Sequence, residues 1–207
     1  PMFRHEKPQK GRYRQFSQFG AEYFGFSDTN SDVELLMMGD FLLKELNVEN
    51  AKLHINSLGN MEDKKRYEKI IFDHLSAKKN SLDEHQKDTL AKNPLRLLDS
   101  KNDNVKEILS NIPTLYETLS ALSKNRFDML MSKLDSLKIN YILDNTIVRG
   151  LDYYNDTVFE WRHESLGSQN AICAGGRYDN LVNIIGGDDV PAIGFAMGVE
   201  RIIEILK

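Results

Sequence analysis

With a single cysteine, Cys173, in 207 residues, the chain has no intrachain disulfide framework and no metal site built from several thiolates. Its five histidines, His5, His54, His74, His85 and His163, include no HExxH and no other close ligand pair, which argues against a zinc or non-haem iron centre. No apolar run approaches the ~20 residues needed to cross a bilayer. Arg4, His5 and Glu6 also break up any stretch that could serve as a signal peptide. No repeat or low-complexity tract is visible. These absences predict a cytoplasmic protein without membrane contact or a protein-bound metal, whose cofactors, if there are any, are nucleotides. At 41% hydrophobic and 28% charged residues, the chain can bury one good core with room for a small second unit.

Positive charge, by contrast, is gathered at one end. The first 22 residues, PMFRHEKPQKGRYRQFSQFGAE, hold Arg4, Lys7, Lys10, Arg12 and Arg14 against two acids, Glu6 and Glu22. Five cations against two anions put this end at +3 while the whole chain is at −4, so the remainder carries −7. Lys7-Pro8-Gln9-Lys10-Gly11 has the chemistry of a turn, and the flanks MFRHE and RYRQFSQF alternate apolar with polar residues at a period of two. The spacing predicts a β-hairpin over residues 1–25 with a cationic loop. Such a loop either offers planar guanidinium groups to phosphate oxygens or is a solvated, charged tip.

Further along, Ser31 three residues before Glu34 predicts a capped helix running to about Leu46, with Val33, Leu36, Met37, Phe41 and Leu42 on its apolar face. AKLHINS, residues 51–57, reads as a strand. From about Leu58 to Lys138 the texture becomes helical and rich in Lys, Asn, Asp and Glu, with capping boxes expected at Ser81 and Glu84 and at Thr114 and Glu117 behind Pro113. Its apolar positions (Tyr67, Ile70, Ile71, Leu75; Leu115, Leu119, Leu122; Leu130, Leu134, Leu137) are expected to build a small core of their own. After Ile139, NYILDNTIVRG, TVFEWRHE and NAICAGG read as strands. The expected fold is one α/β domain of α+β type on an antiparallel sheet: residues 1–57 form the first part of the core, 58–138 a helical insertion and 139–207 the second part.

Three further groups of residues carry chemistry. In Val148-Arg149-Gly150-Leu151-Asp152-Tyr153-Tyr154, glycine beside an arginine leaves room for a guanidinium to approach a ligand. Two successive tyrosines on a strand cannot face the same way, so one could line a pocket while the other packs; plain sheet packing of both is the alternative. Ala174-Gly175-Gly176-Arg177-Tyr178-Asp179 reads as a glycine pair entering a helix, a weak anion-site signal by itself. In Gly194-Phe195-Ala196-Met197-Gly198-Val199-Glu200-Arg201, a packed strand passes into a helix with Arg201 in its first turn. A cation there opposes the helix dipole, so an anionic ligand explains it better than helix stability does.

Together these stretches resemble the histidyl-tRNA synthetases, a family of class II aminoacyl-tRNA synthetases. FRHEKPQKGRYRQFSQFGAE is similar to motif 2 and GFAMGVERI to motif 3 of that class, while VRGLDYYNDTVFEW and AICAGGRYDNLV resemble the two histidine-specific signature peptides. The resemblance runs through the whole chain and implies a class II sheet of six to seven antiparallel strands flanked by helices, of bacterial type. It also implies a central catalytic portion, with motif 1 and a threonine-glutamate loop before Pro1 and an anticodon-binding domain after Lys207.

The family's residue roles, carried over where motifs match, are as follows. Arg4 would grip the α-phosphate of ATP, Arg12 and Arg201 the distal phosphates, Phe16 would stack on adenine, and Glu6 would complete the ATP site. Arg4, Gln18, Glu22, Tyr153 and Tyr154 would contact substrate histidine, with Glu22 and Tyr154 reading its imidazole. Arg4 and Arg149 would be the catalytic pair; Arg149 would approach both the histidine carboxylate and the α-phosphate. Gly175 and Gly176 would let the backbone close against the substrate. The implied activity is ATP-dependent ligation of histidine to its tRNA through histidyl-adenylate, with Mg2+ carried on the ATP phosphates and a homodimeric parent protein. Two alternatives stand beside it: a non-catalytic, synthetase-like regulatory subunit of histidine biosynthesis, and a nucleotide-binding domain of other output. Cys173 is expected to be a small packed residue.

Overall fold

The chain opens as a narrow hairpin, in which β1 (Met2–Phe3) pairs antiparallel with β2 (Gln15–Phe16). This computed structural model describes residues 1–207 except 6, 10 and 101, so the role expected of Glu6 lies outside the described residues. The hairpin closes through reciprocal backbone bonds between Gln9 and Arg12, with Gly11 at φ +68° where the tight tip needs a left-handed residue. The period-two pattern extends through Phe24, but the hairpin does not. At Ser17 the chain leaves it, pinned by the Glu200 carboxylate on its N–H at 2.8 Å. It then enters the main sheet as β3 (Gln18–Phe24).

The following helix, α1 (Thr29–Glu45), starts two residues before Ser31. Asp28 is the cap, accepting from the Asn30 N–H at 2.8 Å, while the Ser31 hydroxyl donates to the Asp28 carbonyl at 2.6 Å. The buried stripe also differs from the expected one: it runs through Val33, Leu35, Leu36, Gly39 and Leu43, leaving Met37 and Phe41 42% and 60% exposed. Gly39 explains the rotation. A Cβ there would lie 2.5 Å from the Trp161 ring, so the helix turns its glycine to the indole.

Beyond α1 come β4 (Lys52–Ser57) and then helices α2 (Met61–Ser76), α3 (Glu84–Lys92), α4 (Asp103–Leu109), α5 (Leu115–Thr118) and α6 (Ala121–Ser136). Thr114 and Glu117 form the expected capping box. The other expected box is displaced by two residues, to Asp83 and Gln86, because Ser81 lies in a preceding short helical turn. The rest of the chain is β5 (Tyr141–Leu143), β6 (Asn155–Arg162), β7 (Ala171–Arg177), α7 (Leu181–Ile184), β8 (Ala192–Gly198) and α8 (Val199–Ile205). NYILDNTIVRG thus yields only a three-residue strand, and its Arg149 end is a bend. The glycine pair likewise lies within β7 instead of entering a helix.

The main sheet has six strands in the order β3-β8-β7-β6-β4-β5, antiparallel except for the β4/β5 pair. The expected α/β fold on a largely antiparallel sheet flanked by helices is therefore present. Cross-strand partners share a face, and the register separates two of them. Ile55, Phe159, Trp161, Phe195, Met197 and Cys173 point to one side, where α1, α6 and α8 close an apolar cluster. On the other side Val158 joins a second cluster with Leu58, Tyr67, Ile71, Leu75 and Leu115. Leu130 and Leu134 of α6 belong to the first cluster, and Leu122 and Leu137 are exposed, so the helical segment's apolar residues do not form one separate core. What remains of the second face, over β3, β8 and β7, carries the site.

Candidate active site

Gln18 and Glu22, four residues apart on β3, share that open face. Beside them the floor is nearly free of side chains: Glu22 pairs with Gly194 and Gly194 with Gly176, while Gly20 pairs with Ala196 and Ala196 with Ala174. A Cβ on Gly194 would lie 1.6 Å from the Glu22 Oε2, so the carboxylate rests directly on the neighbouring backbone. Gly175 sits between these positions and by register faces the core, where a Cβ would come 2.7 Å from the Phe159 ring. Gly176 is on the site face; a Cβ there would meet the Tyr154 ring at 3.0 Å.

Tyr153 and Tyr154 lie in the turn ahead of β6 rather than on a strand, and for that reason both reach the same side. Their ring centroids are 4.7 Å apart, and each packs near edge-on against Tyr178, at 5.9 and 6.1 Å. The Tyr178 hydroxyl donates to the Glu22 carboxylate. Burial first, and then this bond, pushes the Tyr178 hydroxyl pKa up; burial, with Tyr154 next to it, pushes Tyr153 up to about 12. These two phenols are therefore protonated at neutral pH and act as neutral hydrogen-bonding groups. Glu22, the three tyrosines and the small floor enclose a cavity of about 470 Å³.

A second cavity, of about 250 Å³, opens at the other end of the face between the hairpin and α8. Arg4 sits here with its guanidinium 4.0 Å from the Phe16 ring centre and its Nε donating to the Tyr13 carbonyl at 2.8 Å. Arg201 donates from Nε to the Gly11 carbonyl at 2.6 Å and from Nη1 to the Ala171 carbonyl, which fixes it between the hairpin tip and β7. The pKa of both arginines is lowered, by burial foremost, by Arg12 in each case and, for Arg201, by Arg4 as well. Three cations gathered this closely make a site suited to a polyanion.

Arg149 joins the two cavities, lining both together with Gln18, Ala174 and Ala196. Its Nη1 donates to Glu160 at 2.9 Å, its guanidinium lies 5.4 Å from the Tyr154 ring centre, and its buried Nε has no partner among the described residues. Glu160 is held in turn by Arg162, at 2.9 Å, and Arg162 by Asp144, at 2.7 Å.

Residues 1–202 match the family model described as histidyl-tRNA synthetase. The chain belongs to that family. It is 47% identical over 206 residues to the histidine-tRNA ligase of Hydrogenovibrio crunogenus and 48% identical over 208 residues to that of Buchnera aphidicola. It covers 100% of its own length in both, against 48% and 49% of theirs, and so spans about half the length of the curated relatives it matches. Among solved structures it is similar to the apo histidyl-tRNA synthetase of S. aureus, at TM-score 0.77 and 32% identity, over 100% of this chain and 49% of that one.

The motifs that carry the family resemblance are thus the ones that converge. Arg4, Phe16, Gln18, Glu22, Arg149, Tyr153, Tyr154 and Arg201 border one continuous groove, and Arg12 lies near its arginines. Sequence reasoning missed Glu160, Tyr178 and Glu200. The signal for Glu160 was present in TVFEW, where one charge interrupts an apolar strand. Tyr178 stands two residues after Gly176, but nothing in the sequence joins it to Glu22, 156 residues away. Cys173 is buried among the core residues, and burial pushes its thiol pKa up, which leaves it unreactive.

Proposed function

We propose that the groove activates histidine with ATP, as the catalytic region of a histidine-tRNA ligase. The observation that carries this reading is the position of Arg149 between a cavity crowded with arginines and one lined by an acid and three tyrosines. Histidine would enter the second cavity with its imidazole at Glu22 and Tyr154. Pairing a polar side chain with these polar partners discriminates strongly, since a substrate lacking the matching groups would leave them unsatisfied once it covers them. ATP, with magnesium on its phosphates, would lie in the first cavity against Arg4, Arg12 and Arg201, its adenine near Phe16. The histidine carboxylate would then face the α-phosphate at Arg149.

In-line attack by a carboxylate oxygen on the α-phosphorus forms the acyl phosphate bond as the bond to pyrophosphate breaks. No protein nucleophile is needed. Arg149 and Arg4 would stabilise charge developing on the α-phosphoryl oxygens, and the remaining groups would align the reactants. The adenylate would pass its acyl group to the terminal ribose of the histidine tRNA. On this reading residues 1–57 and 139–207 form the catalytic core, 58–138 are an insertion whose α6 packs on that core, and the full-length protein works as a homodimer in the cytoplasm. Among the described residues no helix is long and apolar enough to cross a membrane. The curated relatives carry the ligase name, which supports this reading over a regulatory one.

The test is exchange of labelled pyrophosphate into ATP by the full-length protein, measured with each amino acid in turn. Exchange that depends on histidine is the expected result. Histidine binding without exchange would point to a sensor, and exchange driven by another amino acid would overturn the assignment of the aromatic cavity.

A further inference from the structure

The turn from Gly150 to Asp152 joins Arg149 to the tyrosine pair, and it is fastened from outside the sheet. Lys64, on α2, is only 5% exposed and donates from its ammonium to the Asp152 carbonyl at 2.6 Å. Arg96 donates to the Gly150 carbonyl, and the Asn93 amide donates to the Asp152 carboxylate. Three donors from two parts of the helical segment therefore converge on the two ends of the turn, Gly150 and Asp152.

A buried lysine is costly unless its ammonium is matched, because desolvation penalises the charged form. Here burial lowers the Lys64 pKa, with Glu68 and then Asp152 opposing that shift. The neighbouring positions of α2 that pack inward, Tyr67 and Ile71, show that an apolar side chain could have filled such a place. What lysine supplies and methionine would not is a donor for the turn's carbonyl. The turn has no strand ladder of its own to hold it.

We propose that Lys64 is a positioning residue for the histidine pocket: with Arg96 and Asn93 it holds the 150–152 turn so that Arg149 and the Tyr153–Tyr154 stack face the cavity. This rests on the reading that the cavity takes histidine. It makes the helical segment part of the amino-acid site, while the arginines proposed to take ATP sit on the hairpin and α8, which the clamp does not touch. Losing the clamp should thus act on one substrate.

The experiment uses the full-length protein, titrated calorimetrically with histidine and separately with a non-hydrolysable ATP analogue, together with melting temperatures. Lys64→Met is the principal variant. Arg96→Gln combined with Asn93→Ala is the second, since Arg96 is exposed and its loss is compatible with folding; Lys65→Met, on the exposed side of α2, is the control. Either clamp variant should weaken histidine binding about tenfold or more, the factor that loss of a hydrogen bond to a charged group implies. ATP-analogue affinity should stay within about twofold of the parent, a negligible difference in free energy, and the control should change neither. Unchanged histidine affinity in the clamp variants, or parallel losses for both ligands that track the melting temperature, would overturn the proposal. If Lys64→Met does not fold, the double variant decides by the same readings. A parent protein that takes up no histidine would refute the reading of the cavity, and the role of Lys64 with it.

Discussion

Arg149 holds one ion pair and one aromatic contact and still has a buried Nε–H without a partner among the described residues. A donor left unsatisfied in a closed site costs stability unless something else comes to it. A substrate oxygen at the junction of the two cavities would do so. Glu160 fixes the opposite edge of the guanidinium, so the planar fork is oriented before substrate arrives, and lysine cannot reproduce that geometry. Arg149→Lys in the full-length protein should therefore lower single-turnover adenylate formation ~100-fold, the usual effect of losing one preorganised donor to developing charge. Histidine affinity should change only a few-fold, on the order expected when an interaction is made mainly in the transition state. Rapid-quench measurement of adenylate, with calorimetry for affinity, separates the two; a rate near that of the parent would remove Arg149 from the chemistry. The arginine itself was legible from the sequence, because VRG places glycine beside a guanidinium within a signature peptide. Its partner was not: that Glu160 meets Arg149 depends on how a bend folds back over β6, and no spacing rule gives that.

Among the elements, the strands were more legible than the helix ends. β4, β6, β7 and β8 announce themselves through apolar runs with small residues and turn signals. Caps were misplaced where an aspartate stands within three residues of the expected serine: Asp28 caps the first helix while Ser31 bonds to the Asp28 carbonyl and to Arg177, and Asp83 caps α3 in place of Ser81. The glycine pair was misread for a related reason, since local composition cannot distinguish a glycine that opens a helix from one that clears a sheet face. Register makes that distinction. Gly194 lies between Glu22 and Gly176, and its missing side chain is the space in which the Glu22 carboxylate sits. Gly194→Ala should push that carboxylate off the floor and break its bond from Tyr178. Histidine affinity should fall about tenfold, as loss of a hydrogen bond to a charged group implies, while the ATP analogue binds as before. Parallel titrations of the two ligands test this, and a crystal structure with Glu22 unmoved would show that the floor tolerates a methyl group.

Across the whole molecule, the parts that read as separate along the sequence are tied at one buried point. Asp32 of α1 receives Arg177 of β7 through Nε at 2.9 Å, Thr157 of β6 at 3.2 Å and Arg126 of α6 at 3.3 Å. Arg177 also reaches Asp179 at 2.8 Å and the Phe26 carbonyl at 2.9 Å, so one guanidinium braces the site strand, the first helix and the loop before it. Periodicity foretold that Leu130 and Leu134 would be buried, but not that they would join α1 and the sheet, because a helix pattern gives a face and never its partner. Both Asp32 and Arg177 are fully enclosed, with side chains at 0% exposure. Burial pushes the Asp32 carboxyl pKa up against the pull of Arg177 and Arg126. Such a pair adds little over an apolar replacement of both partners, yet removing one leaves an uncompensated charge at a cost of ~3–5 kcal/mol. Arg177→Met should thus destabilise the fold by about that amount, and the double variant Asp32→Leu with Arg177→Met by clearly less, because it removes the fully buried carboxylate that the single variant strands. Urea unfolding of parent, single and double variants measures the difference. A single variant within about 1 kcal/mol of the parent, the ordinary size of a point-mutation effect, would mean that Arg126 and Thr157 hold Asp32 without Arg177. A double variant less stable than the single one would show that the pair contributes packing and bracing that apolar side chains at these two positions do not replace.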